Sequence, residues 1–187
     1  MKLLLVATLV LTLSATAMAL QDSQQLGPYR VSFDINSKYQ TQVAQPIKMG
    51  TINAYQMRLF VNNSTFATIG ITEYAEPQDA TMKVHKTLMP MEMILRKGLN
   101  ASVAEDMTID GRDGFLITSK PFVSENEMPI IVYSALYWLD SKKCECGPVS
   151  VGKTNVVVTS TFSKDVTDSL LSSLHIVKGV NGNSSST

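Results

Sequence analysis

Between Tyr29 and Ile35 the chain alternates, with Tyr29, Val31, Phe33 and Ile35 on one side and Arg30, Ser32 and Asp34 on the other. That is the period of a half-buried strand. Tyr39 to Val43 is expected to pair with it. In INAYQMRLFVN, from Ile52, Tyr55, Met57, Leu59 and Val61 share one side. Asn62-Asn63-Ser64 then turns the chain, and TFATIGITEY runs back as the second arm of a hairpin.

After Pro77 the period becomes helical. Pro77 suits a first turn, where its missing N–H costs nothing, and Asp79 adds negative charge at the positive end of the helix dipole. From Ala80 onward, Val84, Leu88, Met91 and Leu95 fall on one narrow stripe, and Gly98 supplies a stop. Pro90 removes one backbone bond and is expected to kink or split this helix. Val103 to Ile109 and Gly114 to Ser119 read as a second hairpin around the turn at Asp110-Gly111. IIVYSALYWL, after Pro129, is apolar enough for a central strand covered on both faces. Asn155 to Phe162 is a valine- and threonine-rich strand. Lys164 to Ser173 is a closing helix capped by Ser163, with Leu170, Leu171 and Leu174 turned inward.

Strands, helix, strands and helix in that order predict an α+β domain, a largely antiparallel β-sheet covered by helices, over residues 29–178. Residues 20–28 read as a flexible lead and residues 179–187, rich in Gly, Asn and Ser, as a disordered tail. Residues 1–19 have the form of a secretory signal peptide: a basic start at Lys2, an apolar run from Leu3 to Leu13, and Ala17-Met18-Ala19 as the cleavage motif. A bilayer span needs about 20 apolar residues, and neither this run nor Ile130 to Leu139 is long enough. The expected location is secreted or extracytoplasmic, the chain being either released outside the membrane or held to a cell surface by contacts.

Loss of Lys2 with the leader changes the formal balance from 16 basic and 16 acidic residues to 15 against 16. Near-neutrality argues against a nucleic-acid binder, which needs clustered Lys and Arg to neutralise phosphates. The N-x-[ST] pattern marks Asn62, Asn63, Asn100 and Asn183 as glycosylation acceptors, expected in turns or in the tail. Nucleophile-elbow, zincin, phosphate-loop and dinucleotide motifs are all missing from the sequence. His85 and His175 are its only histidines. Asp110, Asp113, Glu105 and Asp106 read as solvated hairpin residues in preference to an acid–base pair.

Two constellations carry candidate chemistry. Met82, His85, Met89 and Met93, spaced three, four and four apart, gather on the helix face roughly opposite Val84 and Leu88. Thioethers and imidazole suit Cu(I), which makes this stripe a candidate copper site. Lys83, Lys86, Arg96 and Lys97, offset only by Glu92, oppose a cation there. The competing readings are methionine as core filler or as an adaptable apolar surface for a partner. The only cysteines, Cys144 and Cys146, flank one glutamate. A disulfide closing so small a ring contributes only about 1.6 kcal/mol, against about 3 for a 15-residue loop. Its expected role is a local staple of a turn at Gly147-Pro148, with thiol redox or metal binding as alternatives.

Three stretches bear a family resemblance: YRVSFDI at the start of the domain, IDGRDGFLITS as its central hairpin, and VVVTSTFSKDVTDSLLSSLHIV as last strand and helix. In these the chain resembles the PsbP-like family, which includes an extrinsic photosystem II subunit and a Ran-binding import factor. The resemblance implies a binding or assembly domain without a catalytic centre, and no family site residue carries over. The functional expectation is a secreted, non-enzymatic binding or surface-assembly domain for a protein or surface-glycan partner. A thiophilic copper binder and a thiol redox protein are the alternatives.

Overall fold

The computed structural model describes residues 22–121, 130–145 and 147–179. The expected signal peptide, Cys146, Asn183 and the tail from residue 180 lie outside them. The described strands are β1 (Asp22–Leu26), β2 (Tyr29–Phe33), β3 (Gln40–Val43), β4 (Ile47–Met49), β5 (Ile52–Phe60), β6 (Phe66–Asp79), β7 (Leu99–Ile109), β8 (Arg112–Pro121), β9 (Val132–Trp138), β10 (Lys142–Lys143), β11 (Ser150–Ser160) and β12 (His175–Lys178). Helix α1 (Met82–Lys97) follows β6, and α2 (Lys164–Ser173) follows β11.

The expected α+β domain, a sheet covered by helices, is corrected: 57% of the described residues are in strands and 17% in two helices, and every strand pair is antiparallel. The fold is β-rich. A large sheet runs in the order β3-β5-β6-β11-β9-β8-β7, with β4 on β5 and β10 on β11, and a second sheet has the order β1-β2-β12. The main core lies between them. Tyr29, Val31 and Phe33 from β2 meet Met57 and Leu59 from β5, Val156 and Val158 from β11, and Leu170 and Leu171 from α2. On this face the small sheet, with α2, does the covering that the sequence pattern assigned to helices alone.

Period-two side-chain direction explains how one sheet serves two layers. In β9, Tyr133, Ala135 and Tyr137 enter the main core, while Leu136 and Trp138 enter a second cluster on the opposite face. Phe115 and Ile117 of β8 join that second cluster, which α1 covers. The apolar run in β9 is therefore buried on both faces, as its composition predicts. Burial pushes the Tyr137 phenol well above its ordinary range, and the nearby Asp110 charge adds to the effect.

Several local expectations change. β3 pairs with β5 instead of β2, and β2 takes β1 and β12 as neighbours. Residues 22–26, read as part of a flexible lead, form β1. Pro77 belongs to β6, where the ladder to β11 is interrupted between the pairs Glu73↔Thr154 and Gln78↔Gly152. A residue without an N–H fits such an irregularity. Asp140 stabilises the other side of it, its carboxylate accepting bonds from the backbone N–H of Lys153 (3.0 Å) and Thr154 (2.9 Å). Gly152 is required beside it, because a Cβ there would lie 2.7 Å from the Trp138 ring.

Candidate functional site

Helix α1 starts later than its sequence pattern suggests, at Met82, because the preceding backbone is committed to strand contacts. The Ala80 N–H donates to the Ser150 carbonyl (2.8 Å), and the Ser150 N–H donates to the Thr81 hydroxyl (3.1 Å). The Asp79 carboxylate accepts from the Thr81 N–H (2.8 Å), and bonding to Thr81 holds its carboxyl below the usual carboxylate range. These bonds pin the helix start to β11. Gly98, at φ 60°, ends the helix and returns its N–H to the Met93 carbonyl. The helix continues through Pro90 as one element, so the expected split does not occur.

The structure gathers Met82, His85, Met89 and Met93 on one face, and that face is turned toward the sheet. Met93 is 2% exposed, packed with Ala104, Phe115, Ile117, Leu136 and Trp138, and Met82 and Met89 pack at the edge of the same cluster. The His85 ring lies 5.9 Å from the Trp138 ring, centroid to centroid, tilted by 44°. Its Nε2 is 2.7 Å from the Asp79 carbonyl oxygen, so Nε2–H donates there. An imidazole held in that tautomer keeps only Nδ1 for a metal. His85, Leu88, Met89, Glu92 and Met93 also line an open hollow of about 350 Å³, with Leu136 and Val157 across from them. Among the described residues no group of three or more His, Cys, Asp or Glu is arranged to hold a metal ion.

The opposite stripe is the unexpected one. Val84 is 38% exposed, Leu88 56%, Met91 53% and Leu95 80%, with Ile94 beside them at 43%. The sequence offers two apolar stripes on this helix, and the sheet takes the methionine–histidine one. The aliphatic one faces outward. Lys86, one turn from Met82 and from Met89, flanks the sheet-facing stripe and pairs with Asp106 at 2.8 Å.

Cys144 belongs to a different element. It lies at the tip of the β10–β11 hairpin, where its N–H donates to the Val149 carbonyl (2.8 Å) and its carbonyl accepts from the Gly147 N–H (3.3 Å). No described cysteine is a free thiol. Of the candidate acceptors, Asn62 and Asn63 are exposed in the β5–β6 turn, where the Asn62 side-chain oxygen accepts from the N–H groups of Ser64 and Thr65 (2.9 and 2.8 Å). Asn100, expected in a turn, is exposed within β7, opposite Lys120.

One polar cluster differs from its expectation. Asp110, read as a solvated hairpin residue, has a side chain only 2% exposed. Its carboxylate pairs with Arg112 Nη1 (2.9 Å) and His175 Nδ1 (2.6 Å) and accepts from the Ile176 N–H (3.1 Å). Asp110 and Gly111 both have positive φ, 53° and 70°, as the Asp-Gly turn requires. The turn therefore aims the carboxylate at β12 and ties the large sheet to the small one. The sequence signal was the turn itself, but nothing in it pointed to a partner 65 residues away. The chain matches no protein-family model, no curated protein and no solved structure, so its resemblance to the PsbP-like family rests on sequence motifs alone.

Proposed function

We propose that the chain is a secreted, non-enzymatic binding domain that attaches to the surface of the cell that releases it, with the outer face of α1 as its contact surface. One observation carries this reading: Val84, Leu88, Met91 and Leu95 form an aliphatic face on a helix whose other side is already packed. Isolated exposed apolar residues are ordinary, but a contiguous stripe of them marks a contact surface. The principal titratable cluster supports a non-catalytic reading, since Asp110 spends its carboxylate on Arg112, His175 and a backbone N–H. Among the described residues no helix is long and apolar enough to cross a membrane, so the attachment invoked is by contact.

The copper alternative keeps one supporting observation, the convergence of Met82, His85, Met89 and Met93 on a single face. That face is engaged with Leu136 and Trp138, and the His85 Nε2 with Asp79, which is why we prefer the contact reading.

The test uses labelled protein lacking residues 1–19, incubated with producing cells and washed. Leu88→Gln combined with Leu95→Gln is expected to abolish most retention while leaving the circular-dichroism spectrum and unfolding midpoint unchanged. Equal retention of the double variant would remove the outer α1 face from the account.

A further inference from the structure

Resting on the contact-surface reading, we infer that the outer face of α1 docks on an anionic lipid surface, with the helix lying in the plane of the interface. Charge is the first argument. The whole chain balances 16 basic against 16 acidic residues, yet the sixteen residues of α1 hold Lys83, Lys86, Arg96 and Lys97 against Glu92 alone. Positive charge is thus concentrated on the element that also carries the exposed aliphatic face. That pairing of an apolar face with basic residues is the composition of an interfacial helix, whose apolar side sinks about 5–10 Å below the headgroups. Lys86 is partly neutralised by Asp106, and Lys83 stands exposed in the turn before it.

Shape is the second argument. The exposed aliphatic side chains project from the outward side of a helix that lies on the sheet, which makes a convex crest. A fluid bilayer conforms to such a crest and to the hollows at its edges. At 1.5 Å rise per residue the helix is about 24 Å long, enough to lie flat on a bilayer and shorter than a span. The apolar surface also continues beyond the helix. Val103 on β7 is 84% exposed and shares a surface hollow with Lys83, Lys86 and Thr87. The aliphatic and thioether side chains of Val84, Leu88, Met91 and Leu95 are exposed on this surface, and a lipid phase accepts them without needing a matching side-chain pattern.

The experiment is co-sedimentation of the chain lacking residues 1–19 with two kinds of vesicle, phosphatidylcholine alone and phosphatidylcholine mixed with phosphatidylglycerol. Binding is expected to the anionic vesicles, at least about tenfold stronger than to the neutral ones, and to weaken as salt shortens the Debye length. Leu88→Gln with Leu95→Gln is expected to reduce it by more than about tenfold, and Lys83→Glu to reduce it on anionic vesicles only. Both sites are exposed, so an unchanged unfolding midpoint confirms that the variants fold. No vesicle binding, or equal binding by the double variant, overturns the lipid inference. If vesicle binding fails while cell retention still depends on Leu88 and Leu95, the contact reading stands and the partner is a protein or glycan. If retention is also independent of them, both readings fall.

Discussion

Trp138→Ala is expected to lower stability by about 4 kcal/mol and to loosen α1 before the rest of the fold. Trp138 is 2% exposed and is the largest fully buried side chain of the described chain. It stands at the end of β9 on the face that α1 covers, with Tyr74 at 6.1 Å and His85 at 5.9 Å between ring centroids. Gly152 is glycine to make room for it. Deletion of the ring removes the platform under the methionine–histidine stripe and leaves a cavity too large for its neighbours to fill. Trp138→Phe keeps most of the apolar area and is expected to cost under about 2 kcal/mol. Urea unfolding followed by circular dichroism measures both, and hydrogen exchange shows whether α1 opens first. A cost below about 1 kcal/mol for the alanine variant would mean that α1 does not rest on this ring.

Asp110→Ala is the second large effect, expected at about 3 kcal/mol. Loss of the carboxylate strands the Ile176 N–H and leaves Arg112 without the partner that neutralises it. Alanine must also adopt the positive φ that Asp110 has, a further cost for a side chain that cannot bond to its own backbone. Asn tolerates that conformation and keeps one acceptor for Ile176, so Asp110→Asn is expected to cost roughly half as much. His175 is 58% exposed, and surface pairs of this kind contribute under about 1 kcal/mol, so His175→Ala is expected to be nearly neutral. Equal costs at Asp110 and His175 would contradict this ranking and place the weight on the imidazole.

Short-range patterns transferred well from sequence to structure. The alternation at Tyr29, Val31 and Phe33 marked β2, and the Asp110-Gly111 turn marked the β7–β8 hairpin. Ser163 was legible as the cap of α2 and accepts from the Val166 N–H, with Leu170 and Leu171 inward as expected. Each of these is decided by residues within a few positions of one another. What failed depends on remote partners. DSQQL has no apolar alternation, and it is a strand because its backbone pairs with β2. His175 to Lys178, just past the closing helix, carry no strand assignment in the sequence pattern, but their backbone closes the other edge of β2. Those two additions created the small sheet and with it the β-rich architecture.

The orientation of α1 was illegible for a related reason. Its two stripes are both apolar, and hydropathy ranks Val84 and Leu88 above Met89 and His85. The choice between them was made by Phe115, Leu136 and Trp138, whose flat aromatic and aliphatic surface accepts flexible thioethers and an imidazole. The candidate site was therefore visible as two faces of one helix, while which face would be free was not.

The most direct test of that orientation is oxidation of the folded protein with dilute hydrogen peroxide, read methionine by methionine from fragment masses. Sulfoxide formation follows exposure. The structure predicts fast oxidation at Met91, 53% exposed, and at Met49, 60% exposed. Met57 and Met93, at 0% and 2%, should react more slowly by about tenfold or more, with Met82 and Met89 between the extremes. Met93 reacting as fast as Met91, or Met91 protected while Met89 and Met93 react, would mean that the helix presents its other face and that the outer aliphatic surface does not exist.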